Sequence, residues 1–154
     1  MLLSVLTFNT NARAQQANEI SAAPVPTPIL AAKSAFISNG GTDCYLFSGG
    51  PDRAYNQFFS AMTQWKRYEL LPAPAGVDLV FELQFSCPSQ DPHFRLVIRD
   101  LRTSVILWGF TEHATFPSKH ATYDHNFDLA LANLVVDVKK LAGQPASSPE
   151  SGHK

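Results

Sequence analysis

The chain has 154 residues, of which 45% are hydrophobic, and its 12 basic and 13 acidic side chains give a formal net charge of −1. Such a balanced charge without a basic run argues against a nucleic-acid-binding or membrane-surface protein. After the first residues, no apolar stretch approaches the roughly 18 residues needed to span a bilayer.

Residues 1–14 are typical of an export signal. A short apolar run from Leu2 to Phe8 leads to Ala12-Arg13-Ala14, a small-x-small triplet of the kind that signal peptidase cleaves. No basic residue precedes the run, which leaves open that the signal is truncated at its start. We therefore expect a periplasmic or secreted protein; the alternative is an apolar N-terminus on a cytosolic protein.

Composition divides the remainder into three parts. Residues 15–32 contain alternating prolines and predict an extended, unpacked linker. Residues 144–154 are rich in Ser and Pro, lack apolar side chains almost entirely, and predict a disordered tail. A single domain is left over residues 33–143.

The first half of this domain predicts one strand and one helix. The strand covers residues 35–38 and is expected to stop at the following Asn-Gly-Gly. Pro51 suits the first position of a helix that runs to about Arg67. Its expected core stripe has three-to-four spacing and consists of Tyr55, Phe58, Phe59, Met62 and Trp65.

Three strands and a second helix follow. The strands are expected near residues 79–85, 93–99 and 104–112, and the helix ends near Leu141 after starting from an N-cap at Ser118 or Asp124. The order β-α-β-β-β-α predicts an α+β, two-layer sandwich, with a four-stranded mixed sheet and two helices on one face. The core stripe of the last helix is expected to be Phe127, Leu131, Leu134, Val138 and Leu141.

Cys44 follows the first strand and Cys87 the second. A β-α-β crossover makes these strands parallel, so both cysteines leave the same edge of the sheet, and an oxidising compartment favours a disulfide between them. Two unpaired thiols or a reactive thiol are the alternatives, although a C-x-x-C motif is missing.

Motifs for chemistry are weak. The sequence contains no phosphate-binding glycine loop, no G-x-S-x-G and no H-E-x-x-H, and it predicts no catalytic residue, no metal site and no cofactor. His113, His120, Asp124 and His125 crowd the approach to the last helix. They are interpreted as solvated polar residues, with a small hydrolase or metal-dependent enzyme as the alternative.

The hairpin of the last two strands suggests a binding surface. If Leu101-Arg102 is a two-residue turn, Arg95 faces Trp108 and His93 faces Phe110. Both helices would then cover Phe94, Leu96 and Ile98, and the other face would stay partly open. We expect a partner surface there, formed by Arg95, Arg99, Trp108 and Phe110, with an Arg95–Trp108 cation–π contact; coverage of this face as ordinary core is the alternative.

Three segments together resemble a known group of proteins. Residues 77–82, residues 105–112 and the helix from Asn126 to Leu141 are similar to small exported bacterial proteins without an assigned activity. The element order is also similar to cell-envelope modules such as the N-terminal domain of the Tol-Pal translocation protein. The resemblance implies a fold and carries no catalytic residue.

We therefore expect an exported, non-enzymatic binding or envelope-assembly module. Its partner would be an unknown protein or small ligand of the envelope. A structural protein that self-associates as a homodimer through the same sheet face is the alternative.

Overall fold

The computed structural model describes residues 23–115 and 122–143. The predicted signal peptide and C-terminal tail lie outside these residues, as does most of the first half of the linker. Helices are α1 (Thr27–Ala31), α2 (Arg53–Trp65) and α3 (Tyr123–Leu141). Strands are β1 (Ser34–Thr42), β2 (Glu69–Leu70), β3 (Leu79–Ser86), β4 (His93–Asp100) and β5 (Ile106–His113).

The strands form one mixed sheet in the order β2-β1-β3-β4-β5. β1 runs parallel to β2 and β3, whereas β3, β4 and β5 pair antiparallel. The α+β class and the mixed sheet are thus confirmed, while the prediction of four strands and two helices is wrong in number. β2 is only two residues long, too short for the alternation that identifies a strand in a sequence.

The third helix, α1, lies where the sequence predicts an unpacked linker. Pro28 occupies the first turn of α1, where a missing backbone N–H leaves no intrahelical bond unmade. Ile29 is buried in the core, and its carbonyl accepts a hydrogen bond from the Tyr68 hydroxyl at 3.1 Å. The guanidinium of Arg67 donates to the carbonyls of Leu30 and Ala32, so the segment is fixed to the loop after α2.

The core lies between one sheet face and the two long helices. Alternate residues of β3 and β4, among them Phe81, Leu83, Phe94 and Leu96, are at most 1% exposed. Every residue of the predicted α3 stripe is buried, whereas on α2 Phe58 and Met62 are buried and Phe59 is 38% exposed. No helix among the described residues is long and apolar enough to cross a membrane.

Several boundaries differ from the prediction. β1 continues through the glycines to Thr42, because a register irregularity between Asn39 and Thr42 accommodates them. Helix α2 begins at Arg53, after Pro51. Thr122 is the N-cap of α3, and Asp124 lies in its first turn; Ser118 lies outside the described residues.

Candidate functional site

The candidate binding surface is the sheet face opposite the two long helices, called the open face below. Its residues form cross-strand rows, because directly paired residues point to the same side. From one end to the other, the rows are Ser86–His93–His113, Gln84–Arg95–Thr111, Ser38–Glu82–Val97–Gly109 and Phe36–Val80–Arg99–Ile106.

Val97, Gly109 and Ile106 form the centre of the open face as the structure describes it. Val97 is 9% exposed, and the residue opposite it on β5 is Gly109. Among the described residues, the atom nearest to a methyl group added at Gly109 would be the Leu96 carbonyl oxygen, at 3.9 Å. Beside this position, Ile106 is 54% exposed. Among the described residues, the exposed apolar surface at this centre is therefore that of Ile106, close to the Gly109 backbone.

Basic side chains flank this centre. Arg99 lies 3.7 Å from a carboxylate oxygen of Glu82 and donates to the Ser104 carbonyl at 3.3 Å. Arg95 is exposed and, within the described ranges, has no hydrogen-bond or ion-pair partner. With one acid against two guanidinium groups, the middle of the face is positive.

Trp108 and Phe110 are not on this face, which corrects the predicted register. Trp108 pairs with Ile98, and Phe110 pairs with Leu96, so both aromatic side chains lie on the helix-covered side and pack partly buried against the core. The predicted Arg95–Trp108 stack therefore does not form, since the two residues point to opposite faces. Of the four predicted residues, Arg95 and Arg99 lie on the open face, and Trp108 and Phe110 lie together on the opposite face, with ring centroids 6.4 Å apart.

One end of the open face carries a cluster of ionisable residues that the sequence does not predict. His93 and His113 pair directly across β4 and β5, with ring centroids 5.5 Å apart. Nδ1 of His113 lies 3.0 Å from Oδ1 of Asp91, and Nδ1 of His93 lies 2.9 Å from the Asp91 carbonyl oxygen. The only signal for the cluster would have been the correct hairpin register, which brings residues 93 and 113 together.

The loop before β4 fixes the position of Asp91. Cys87, at the start of the loop, is bonded to Cys44, and its N–H donates to the Asp43 carboxylate at 2.9 Å. Ser89 and Gln90 both adopt left-handed backbone conformations, with φ of 52° and 66°. Such conformations cost about 1–2 kcal/mol per residue with a Cβ, so surrounding structure must hold this loop.

The predicted disulfide is confirmed. Cys44 and Cys87 are joined with their Cα atoms 5.2 Å apart, at the edge where the parallel strands β1 and β3 end. No free cysteine remains among the described residues, which contain both cysteines of the chain. The β-α-β crossover thus brings both cysteines to the same edge of the sheet, as the sequence predicts.

The residues at the start of α3 form a structural network. Arg53 binds Asp124 at 2.5 Å and Asp128 at 2.6 Å, and its guanidinium lies 4.3 Å from the ring centroid of Phe127. Hydrogen bonds from the Ser48 hydroxyl and from Arg53 hold the pKa of the Asp124 carboxyl below its usual range. This carboxylate thus joins α3 to α2 and to the loop between β1 and α2.

The histidines of the alternative enzyme site do not join that network. His125 is exposed on α3, and His113 lies with Asp91 and His93 at the end of the sheet. His120 lies outside the described residues. The predicted set of His113, Asp124 and His125 is therefore not one site in the described structure.

Comparisons with known proteins give likeness of fold. No model of a known family matches the chain, and no curated protein matches it. The LpoB C-terminal domain from Salmonella enterica is 13% identical with a TM-score of 0.43, covering 55% of this chain and 84% of that one. A PelC dodecamer from Paraburkholderia phytofirmans is 12% identical with a TM-score of 0.49, covering 79% and 95%.

A third solved structure is protein XCC0632 from Xanthomonas campestris, described as DUF330. It is 8% identical with a TM-score of 0.49, over 73% of this chain and 83% of that one. The resemblance drawn from the sequence, to exported proteins and envelope modules, is likewise one of fold. These similarities describe a shared arrangement of strands and helices and assign no activity to this chain.

Proposed function

We propose that this chain is an exported, non-enzymatic module of the cell envelope that binds an acidic protein surface through its open sheet face. One observation carries the proposal. Arg95, exposed and unpaired among the described residues, lies on the same sheet face as Ile106, which is 54% exposed, and neither long helix covers this face in the described structure. Interfaces typically combine such an apolar centre with arginine anchors.

Charge selects the class of partner. Arg95 and Arg99 outnumber Glu82 on the middle of the face, so aspartate and glutamate side chains beside aliphatic ones would complement it. A second copy of the chain would bring two arginine-rich surfaces together, which costs energy unless both glutamates are placed between them. We therefore favour a different protein over a homodimer.

The disulfide supports the proposed compartment. A Cys44–Cys87 bond that closes a 43-residue separation is stable in an oxidising environment and rare in the cytosol. It supports a periplasmic or secreted location, in agreement with the export signal expected over residues 1–14.

Site-specific photo-crosslinking in the cells that produce the protein tests this function. A photoreactive residue replaces Thr111, on the open face, and in a matched control it replaces Thr63, on the exposed side of α2. We expect a discrete adduct with another protein from position 111 alone, and we expect Arg95→Glu to reduce it at least ten-fold by opposing the partner's acidic groups.

Three results would reject this proposal. Equal adducts from both positions, or none from position 111, would remove the open face as the binding surface. An adduct of twice the protein's own mass would assign the face to a second copy instead.

A further inference from the structure

We propose that Asp91, His93 and His113 bind one divalent transition-metal ion, with Zn²⁺ as the ion that fits them best. The proposal concerns the end of the sheet and does not depend on a partner binding to the open face. Two imidazoles and one carboxylate are the donor set of many three-ligand zinc sites. Calcium and magnesium prefer oxygen donors alone.

The distances are close to those that a bound ion requires. One donor atom from each of the three side chains lies within 4.8 Å of the other two, and Oδ1 of Asp91 is 3.0 Å from Nδ1 of His113. Zinc bonds of about 2.0–2.1 Å at tetrahedral angles place neighbouring donor atoms about 3.4 Å apart. Asp91 and His113, whose side chains are exposed, would have to rotate to close the remaining difference.

The surroundings of His93 prepare one ring nitrogen for a metal. Its Nδ1 lies 2.9 Å from the Asp91 carbonyl oxygen, so Nδ1–H donates there and the lone pair remains on Nε2. The Ser86 hydroxyl, 3.4 Å from Nε2, would give up this contact when a metal binds. A backbone carbonyl that accepts from the second ring nitrogen is the usual arrangement around metal-binding histidines, because it fixes the tautomer and the ring orientation.

The scaffold holds the three side chains in place from two directions. His93 and His113 are directly opposite in the β4–β5 ladder, and the N–H of Ala114 donates to the Pro92 carbonyl at 2.8 Å. Asp91 follows a loop that begins at the disulfide-bonded Cys87. Asp91 and His113 are exposed, so solvent can supply the fourth ligand.

Titration of the tag-free chain with zinc chloride tests the site. Isothermal calorimetry near neutral pH measures stoichiometry and affinity, and cobalt(II) chloride gives a visible spectrum that reports the coordination geometry. We expect one ion to bind per chain. In His113→Ala the Kd for zinc should be at least ten-fold higher, because loss of a group that binds or orients a metal typically costs this much affinity. His125→Ala, which removes an exposed histidine of α3, should bind zinc as the unaltered protein does.

Circular dichroism and Tm without metal establish that each variant folds, and exposed His113 is the position least able to disturb the core. Zinc should raise the Tm of the unaltered protein and of His125→Ala, but not that of His113→Ala. Absence of stoichiometric zinc binding would overturn the proposal, as would equal affinity in His113→Ala and the unaltered protein.

Discussion

Trp108 lies opposite Ile98 across the last hairpin, although Ile106, only two residues earlier, lies opposite Arg99. Leu107 is therefore an extra residue in β5, a β-bulge between two regular stretches of pairing. Because side chains alternate between faces, this one residue places Trp108 and Phe110 against the helices and leaves Ile106 on the open face.

Because of the bulge, Trp108→Ala and Arg95→Ala should change the free energy of unfolding by unequal amounts. A regular hairpin with a two-residue turn would place both side chains on the same face. Trp108→Ala should lower the free energy of unfolding by about 2–3 kcal/mol, less than the full cost of a completely buried tryptophan, because the side chain is only partly buried. Arg95→Ala, on the exposed side, should change it by less than about 0.5 kcal/mol. Urea denaturation measures both; similar losses would contradict this assignment of faces.

The sequence predicts features that depend on periodicity and chain direction, but it does not predict the register that the last hairpin's turn determines. The buried stripe of α3 and the Cys44–Cys87 pairing follow from periodicity and chain direction, both of which are local properties. The hairpin register does not, because it depends on the Asp100 carboxylate. That group accepts the N–H of Arg102 at 2.8 Å in a longer turn, which ends at Ser104 with a left-handed φ of 59°.

The register expected from a two-residue turn also fails to predict the histidine cluster. With the register expected from a two-residue turn, His93 faces Phe110 and has no polar neighbour on β5. With the bulge and the longer turn, it faces His113. The helix α1 was missed for a different reason, since its five residues are stabilised by burial of Ile29 and by Arg67 and Tyr68, distant in sequence.

Two strand glycines should respond differently to alanine. A Cβ on Gly40 would lie 2.8 Å from the Leu83 carbonyl oxygen, a backbone atom that cannot move freely. Gly40→Ala should therefore destabilise the protein by about 1–3 kcal/mol. Gly109→Ala serves as the control, because its Cβ would meet no described atom closer than 3.9 Å. This substitution should be neutral or stabilising by up to about 1 kcal/mol. Equal Tm values for the two variants would contradict the close approach of β1 to β3.

The disulfide should make a large contribution to stability. Replacing both Cys44 and Cys87 by serine frees a 43-residue loop in the unfolded chain, which the chain-entropy model values at about 4 kcal/mol. Chemical denaturation measures this contribution when the double variant is compared with the unaltered protein in its oxidised and reduced forms. The double variant should match the reduced protein; a denaturation midpoint equal to that of the oxidised protein would show that the bond is not formed.

Stability should also depend on Glu112. Burial of its carboxyl, and then the neighbouring Asp137 carboxylate, raise the pKa of Glu112. The folded state thus binds this proton more tightly than the unfolded state, and the ionised group destabilises the fold above its raised pKa. Glu112→Gln should raise the Tm near neutral pH by a few degrees. In a domain of this size, such a shift corresponds to a gain of less than about 1 kcal/mol in the free energy of unfolding.

The gain from Glu112→Gln should diminish as the pH falls toward the unfolded-state pKa of about 4.3, where both states hold the proton. Glu82→Gln is the matched control, since that glutamate is exposed on the open face beside Arg99. A Tm difference for Glu112→Gln that stays constant with pH would reject the electrostatic explanation.

Hydroxyl-radical footprinting compares the solvent accessibility of the two faces of the molecule most directly. The measurement is made on the purified chain and on the same chain within the intact cell envelope. If the open sheet face binds a partner, oxidation of Ile106 and His113 should fall several-fold in the envelope. Oxidation of Phe59 and Leu129, exposed on the helices, should stay unchanged. Unchanged oxidation of the sheet residues, or protection of the helix residues in their place, would contradict the proposed binding surface.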